Sequence, residues 1–184
     1  MGNIGSAHTE QTQCIVHHGA LGKFKEFMFS TNESIRESAL LGLANIAADS
    51  PAFRDLVIDY DIVPCTLRII EEGPSLLILR KCLWLLSNCC RESPLPSWGV
   101  LSPLIPTLFK MLLHHDEEVV DSAAWGLLCL SEEYSHTLIE MGILPILIGM
   151  VCETPNFPLS VLRFIGNVFL NGTDPQIDQL LKSP

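Results

Sequence analysis

The sequence has few aromatic residues, few basic residues and no catalytic motif. Phe, Trp and Tyr together make up 7% of the 184 residues, which is little for an all-β domain built on aromatic pairs. There are 11 Lys and Arg residues against 21 Asp and Glu residues, so the net charge is −10. A protein this acidic repels phosphate backbones. We therefore expect no nucleic-acid partner and consider basic peptides or proteins as ligands.

Signals for secretion and for membrane insertion are also missing. Residues 1–10 are polar and carry no positive run, unlike a signal peptide. The longest apolar run, Met141 to Cys152, contains Pro145 and falls well short of the ~20 residues that a membrane span requires. We therefore expect a soluble intracellular chain with no membrane partner.

The candidate metal ligands and nucleophiles form no chemical site. The seven cysteines are odd in number and include no Cys-x-x-Cys pair, so we interpret them as small core residues in a reducing compartment. The pairs His17-His18 and His114-His115 cannot both face one site from a helix, because adjacent helical residues point about 100° apart. No Ser-His-Asp arrangement, Gly-rich phosphate loop or paired-carboxylate pattern occurs. We expect no enzyme, no metal and no cofactor.

A repeated segment organises the chain. It occurs at Ser38–Ile46, Lys81–Cys89, Ser122–Leu130 and Ser160–Val168, and its in-phase residues 45, 88, 129 and 167 are 43, 41 and 38 residues apart. A period near 41 with helical patterning is typical of armadillo or HEAT repeats. Each repeat is predicted to contain three helices, the third running roughly over 32–48, 75–91, 117–131 and 158–171. Strand signals are nearly absent. The predicted fold is an all-α, right-handed α-solenoid of about four armadillo repeats, truncated at both ends.

The repeats predict a single domain over 1–184. It consists of a partial repeat 1–7, repeats at about 8–49, 50–92, 93–132 and 133–172, and the start of another repeat at 173–184. Start signals precede three of the third helices, at Asn32, Pro74-Ser75 and Asp116. Solenoid ends without polar caps expose apolar surface, so we expect oligomerisation or marginal stability.

Each third helix has two distinct faces. With the in-phase residue as position 0, positions −6, −5, −2 and +1 form an apolar stripe that we expect in the core. Positions −4 and 0 lie on the opposite side. They hold Leu41, Trp84, Trp125 and Arg163 at −4, and Asn45, Asn88, Cys129 and Asn167 at 0. A single Asn is ordinarily a solvated helix residue and a single Trp a core residue, but recurrence at the repeat spacing predicts a row of exposed side chains.

This row has the chemistry of a peptide-binding surface. An Asn side chain offers a donor and an acceptor, so it can bond the backbone of an extended peptide. Indole faces attract Lys and Arg, whose aliphatic stems pack between the rings. Asp49 follows Asn45 by four residues and is the best-placed carboxylate. The pattern predicts a site for basic peptides.

Several stretches resemble the armadillo core of the importin α (karyopherin α) family. They are Asn45–Asp49, Ala52–Ile58, Leu83–Arg91, Leu112–His115 and the residues around Trp125 and Asn167. The resemblance implies a pocket for one lysine of a nuclear-localisation signal, built from Asp49, the Thr12 hydroxyl and the Ala7 carbonyl. It implies that asparagines clamp the backbone of the signal and that tryptophans hold its side chains. The matching residues are Asn3, Asn45 and Asn88 for the clamp, Trp84 and Trp125 for the indoles, Arg91 in the fourth-repeat stretch, and Arg163 with Asn167 for one end of the minor site.

The sequence departs from the family pattern at four places. Leu41 stands where the third-repeat tryptophan is expected, and the second-repeat tryptophan would precede Met1. Cys129 replaces an aromatic residue and Ser122 an aspartate. A cation–π contact contributes roughly 0.5–2 kcal/mol, so losing two tryptophans weakens binding by about 1–4 kcal/mol, or ~5- to 1000-fold. We expect weak or selective recognition of basic signals, at micromolar peptide or above.

The resemblance implies a nuclear import adaptor that binds cargo proteins with Lys- and Arg-rich signals in the cytoplasm and nucleus, without catalysis. The family's basic N-terminal segment, which recruits importin β, does not occur in the chain, and this argues against importin β binding. The competing hypothesis is a truncated or degenerate armadillo scaffold that binds protein partners without transport. A pull-down with importin β, with and without cargo, discriminates between the two.

Overall fold

Helices make up the regular secondary structure of the described part of the chain. The structure, a computed structural model, describes residues 4–153, 157–171, 173, 174 and 178, and at 4–8 and 171 it describes the backbone alone. These residues include no β-strand, which confirms the prediction of an all-α fold. A 3-10 helix, Ser102–Leu104, precedes α8. The helices are α1 (Ile4–His17), α2 (Ala20–Phe27), α3 (Glu33–Asp49), α4 (Pro51–Asp59), α5 (Ile62–Glu71), α6 (Leu76–Cys89), α7 (Trp98–Leu101), α8 (Ile105–Leu112), α9 (Glu117–Glu140), α10 (Ile143–Glu153) and α11 (Leu159–Asn171).

The chain divides into two compact units, Met1–Leu104 and Ile105–Pro184. In the first unit α3 packs along α6, while α1, α2 and α4 pack against α3. In the second unit α8, α10 and α11 all contact α9. The helices α3, α6, α9 and α11 correspond to the predicted third helices of the repeats, and in each unit two of them lie side by side.

Polar side chains start three of these helices. Asn32, Ser75 and Asp116 each accept a hydrogen bond from the backbone N–H three residues further on, at 3.4, 3.4 and 3.2 Å. Each cap satisfies an amide that has no partner within its helix, and such a cap contributes about 1 kcal/mol. The helix starts predicted at these residues are confirmed.

Helix α9 joins the predicted third helix of one repeat to the first helix of the next across a kink. It continues past the predicted end near residue 131 to Glu140, and the non-helical backbone of Tyr134 marks where two helices meet. No single helix in the described ranges is long and apolar enough to span a bilayer, whereas α9 and α10, bent by 103°, pass that test of length and composition only as a pair.

The apolar stripe forms the core, as predicted, except at two positions of α11, where Leu162 is exposed and Ile165, at position −2, is half-buried. Positions −6 and +1 are buried in all four helices, and positions −5 and −2 are buried in α3, α6 and α9. Leu162, at position −5 of α11, is 46% exposed, so its predicted core position is wrong. The reason is that α11 is the last helix that the structure describes, and its outer side has no described neighbour.

The cysteines are divided between core and surface. Cys82, Cys89 and Cys90 are buried, as expected for small core residues. Burial raises the pKa of the Cys82 and Cys89 thiols to about 12, so both stay protonated at neutral pH. Cys14 and Cys152 are exposed, and the core interpretation is wrong for them.

A buried arginine holds the segment that follows α6. The Arg54 side chain, on α4, is 1% exposed, and Nη1 donates to the carbonyl oxygens of Arg91 and Glu92. Nη2 donates to the Pro94 carbonyl at 2.7 Å and to Asp55 Oδ1 at 2.8 Å. The guanidinium fork therefore satisfies three backbone carbonyls at once and fixes the C-terminal end of α6.

Candidate peptide-binding surface

The first unit places the predicted residues on two neighbouring helices. Asn45 and Asp49 lie one turn apart on α3, and Trp84 and Asn88 lie one turn apart on α6. Asn45 is exposed, while Asp49 and Trp84 are half-buried. Because α3 packs along α6, this arrangement brings an exposed amide, a carboxylate and an indole to adjacent helices.

Asn88 differs from the prediction that position 0 faces away from the core. It is 2% exposed, and its Nδ2 donates to the carbonyl oxygen of Ala44 at 3.1 Å. The reason is that position 0 of α6 lies against α3, where the amide satisfies a carbonyl of the neighbouring helix. One N–H of the Asn88 amide is therefore engaged with α3, and at 2% exposure the side chain joins the two helices instead of facing the surface.

Asn167 makes a similar contact in the second unit. It is half-buried, and its Nδ2 donates to Ser131 Oγ at 2.7 Å. Ser131 Oγ in turn donates to the Leu128 carbonyl at 2.7 Å. Two of the recurrent asparagines thus tie neighbouring third helices together, a role that sequence reasoning missed. The sequence did contain a signal for this role, because asparagines that recur at the repeat spacing can contact the neighbouring repeat as well as a ligand.

Asp49 has the least satisfied carboxylate oxygen on this surface. Asp49 is the last residue of α3, and its Oδ2 is buried with no hydrogen-bond partner among the described residues. The C-terminal end of a helix carries partial negative charge, which favours a cation near it. A buried oxygen without a partner costs about 1–3 kcal/mol, more for a charged group, so a cation brought to this oxygen would be stabilised.

The remaining residues of the predicted lysine pocket lie on α1. Thr12 is half-buried, and α1 packs against α3, the helix that carries Asp49. The backbone of Ala7 belongs to α1. Asn3 lies outside the described residues. The structure thus brings the helix of Thr12 and Ala7 next to the helix of Asp49.

Arg91 lies just beyond α6 and is half-buried. Its Nη2 is 3.3 Å from Glu92 Oε1, and its carbonyl oxygen accepts from the buried Arg54. The backbone at this end of the surface is therefore held rigidly, while the Arg91 guanidinium is paired with a neighbouring carboxylate.

The second unit carries a separate set of predicted residues. Trp125 on α9 is 37% exposed, Arg163 on α11 is exposed, and Cys129 is half-buried. Since α9 and α11 pack together, an indole and a guanidinium lie on neighbouring helices. In the part of the chain that the structure describes, no group of three or more His, Cys, Asp or Glu side chains could hold a metal.

Comparison with known sequences relates the chain to one family. The model of the armadillo/beta-catenin-like repeat matches residues 8–48. Importin subunit alpha-1a of Oryza sativa subsp. japonica is 35% identical over 178 residues, which cover 95% of this chain and 34% of the relative. Importin subunit alpha-3 of Arabidopsis thaliana is 36% identical over 183 residues, which cover 97% and 34%. The chain spans about a third of the length of these relatives.

Comparison with solved structures identifies the fold. The designed armadillo repeat protein YIII(Dq.V1)4CPAF in complex with peptide (KR)4 matches with a TM-score of 0.77 and 20% identity, over 94% of this chain and 74% of the designed one. The designed armadillo repeat protein YIII(Dq)4CqI matches with a TM-score of 0.77 and 21% identity, over 97% and 76%. The predicted armadillo fold is confirmed. By its sequence, this chain belongs to the importin α family of armadillo-repeat proteins.

Proposed function

We propose that the chain is an importin-α-like adaptor that binds basic nuclear-localisation signals of cargo proteins on the surface of α3 and α6. The observation that carries this proposal is the buried, unpartnered Oδ2 of Asp49, one turn from the exposed Asn45. Membership of the importin α family supports it.

A lysine of the signal pairs with the half-buried Asp49 carboxylate, and because Oδ2 itself is buried without a described partner, a hydrogen bond to that oxygen requires neighbouring side chains to move aside. The Thr12 hydroxyl accepts from the same ammonium group, and the Ala7 carbonyl, which lies within α1, adds a contact only through the lone pair that the helical hydrogen bond leaves free. The Asn45 amide bonds the N–H and C=O of the extended signal, while Asn88, which is 2% exposed and donates to the Ala44 carbonyl, holds α6 against α3. The Trp84 ring packs against a neighbouring Lys or Arg stem.

We expect the α3 and α6 surface to bind basic signals weakly because of the residues that it contains. Leu41, one turn before Asn45, offers no ring face where the family has an indole, so one cation–π contact of roughly 0.5–2 kcal/mol is missing on α3. The net charge of −10 attracts a basic ligand and makes the association sensitive to salt. We expect a dissociation constant in the micromolar range or above.

The second unit contributes to the same activity. Trp125, Arg163 and Asn167 form a second set within this unit, which binds a basic segment separately. The chain acts by binding alone, without catalysis or a cofactor, and works in the cytoplasm and the nucleus. Because it spans about a third of its relatives' length, we propose cargo binding and leave importin β recruitment outside the proposal.

Removing the charge of Asp49 tests the proposal. The fluorescein-labelled peptide Gly-Lys-Lys-Lys-Arg-Lys-Gly is titrated with the chain and followed by fluorescence anisotropy. We expect Asp49→Asn to weaken binding about tenfold, since a charge-assisted hydrogen bond contributes about 1.5–3 kcal/mol.

The matched control is Asp59→Asn, which removes the same charge from an exposed position on α4. It should weaken binding less than about twofold, through the change in net charge alone. No binding at about 1 mM peptide, or equal weakening by both substitutions, would refute the proposal.

A further inference from the structure

The second unit contains a cavity that the proposed function does not use. Its volume is about 870 Å³, within the range of ligand-binding cavities in proteins. It is bounded by the end of α8, the segment 113–115, the first turns of α9, and α10 with residues 157–158. All of these lie within the second unit, Ile105–Pro184, whereas α3 and α6 belong to the first unit.

The charged groups that line the cavity have one sign. The carboxylates of Glu117, Asp121 and Glu153 line it, with no Lys or Arg among the described lining residues. None of the three forms a salt bridge with a described Lys or Arg. Burial, and then the nearby charge of Glu117, raise the pKa of Asp121 above its ordinary value. The described lining of the cavity therefore carries acidic groups with no Lys or Arg beside them.

The charge balance of the whole unit points in the same direction. Ile105–Pro184 contains ten acidic and three basic residues, a net charge of −7 out of −10 for the chain. A cavity lined by one sign of charge raises the local concentration of ligands of the opposite sign. The ligand class favoured here is cationic.

The rest of the cavity wall is apolar or aromatic. Ile146, Met150 and Phe157 line one side. The His114 and His115 rings are stacked with their centroids 4.2 Å apart. His114 Nδ1 accepts from the Asp116 N–H at 3.1 Å, which assigns the ring proton to Nε2 in the neutral form. A ligand that fills this space needs apolar surface beside its charge.

We infer that this cavity binds a segment of a partner protein in which an Arg or Lys side chain stands next to a bulky apolar one. The cation lies between Glu117 and Asp121, and the apolar side chain lies against Ile146 and Met150. Trp125, one helical turn beyond Asp121, does not line the cavity, so the segment is held by the cavity walls alone. This site is independent of the Asp49 surface.

The methionine methyl groups provide a local readout. The full chain, labelled with ¹³C at its five methionine methyl groups, is titrated with acetyl-Gly-Leu-Arg-Phe-Gly-amide and followed by NMR. We expect the Met150 methyl signal, assigned with Met150→Leu, to shift, and the Met28 signal, from a core residue of the first unit, to stay in place.

The electrostatic part of the inference is tested with two matched double variants. Glu117→Gln with Asp121→Asn should weaken binding about two- to tenfold, the loss expected for two partly exposed ion pairs. Glu132→Gln with Glu133→Gln removes two exposed charges from the same helix, outside the cavity lining, and should change affinity less than twofold. On the unsubstituted chain, replacing the peptide's Arg with norleucine should weaken binding by a similar factor.

Three results would overturn the inference. They are a Met150 signal that does not move at millimolar peptide, equal affinities of the two double variants, and equal affinities of the Arg and norleucine peptides. Asp49→Asn separates the two sites. It should leave the Met150 response intact even where it reduces binding of the Lys-rich peptide, whereas loss of the Met150 response in Asp49→Asn would contradict the separate site.

Discussion

Replacing Arg54 with Met should lower the free energy of unfolding by about 3–5 kcal/mol, the range for breaking a buried charged interaction. Arg54 is 1% exposed, and its guanidinium donates to the carbonyls of Arg91, Glu92 and Pro94. Met matches much of the apolar stem but has no donor, so these carbonyls lose their charged partner. The segment after α6 would lose its attachment to α4.

Two further substitutions test whether the loss is specific to Arg54. The free energy of unfolding of each variant is measured by urea unfolding, followed by circular dichroism. Arg54→Lys keeps the charge but not the planar fork, so its loss should be intermediate. Arg68→Met removes an arginine that is 58% exposed, pairs with Glu72 at 3.7 Å and lies 4.3 Å from the Phe29 ring, and should cost less than about 1 kcal/mol. Equal losses for Arg54→Met and Arg68→Met would contradict the role assigned to Arg54.

Gly42→Ala and Gly166→Ala should change stability in opposite directions. A Cβ at Gly42 of α3 would lie 2.8 Å from Cε2 and 3.0 Å from Cζ of Phe24, whereas one at Gly166 of α11 meets no atom within 4 Å. Ala is favoured over Gly in a helix by about 1 kcal/mol, so Gly166→Ala should stabilise by up to that amount. At Gly42 the overpacking costs about 1–3 kcal/mol, and we expect a net loss of about 1 kcal/mol.

The Phe24 contact can be tested directly by a double variant. Phe24→Leu removes the ring atoms nearest to the new Cβ, so Gly42→Ala should cost less in that background than in the unsubstituted chain. The comparison uses thermal or urea unfolding of the four proteins. Strictly additive losses would show that the close approach of Phe24 to α3 is not what requires glycine at residue 42.

The fold was largely predictable because burial recurs at the repeat spacing. Positions −6 and +1 are apolar in every copy, and only a helical repeat brings such residues to one face. The caps at Asn32, Ser75 and Asp116 were predictable for a related reason, since each is a short polar side chain directly before an apolar-periodic segment. At these positions the capping residue and the periodicity of the apolar residues predict the same helix.

The contacts of the site were less predictable. An asparagine on the flank of a helix has the same sequence signature whether its amide meets a ligand or the neighbouring helix, and Asn88 makes the second contact. The acceptors of Arg54 are backbone carbonyls, which leave no trace in residue identity. The cavity beside α10 depends on how helices are spaced after the irregular residue Tyr134, and periodicity does not fix that spacing.

The most direct test of the central claim is the energetic coupling between Asp49 and one lysine of a bound basic peptide. Four affinities are measured by calorimetry: the unsubstituted chain and Asp49→Asn, each with Gly-Lys-Lys-Lys-Arg-Lys-Gly and with a variant in which one lysine is replaced by norleucine. For one lysine position, we predict that the affinity loss caused by both changes together is smaller than the product of the two single losses, by a factor of about five or more. The reason is that both changes remove the same charge-assisted hydrogen bond. Effects that multiply independently at every lysine position would contradict the claim that Asp49 receives a lysine of an extended basic segment.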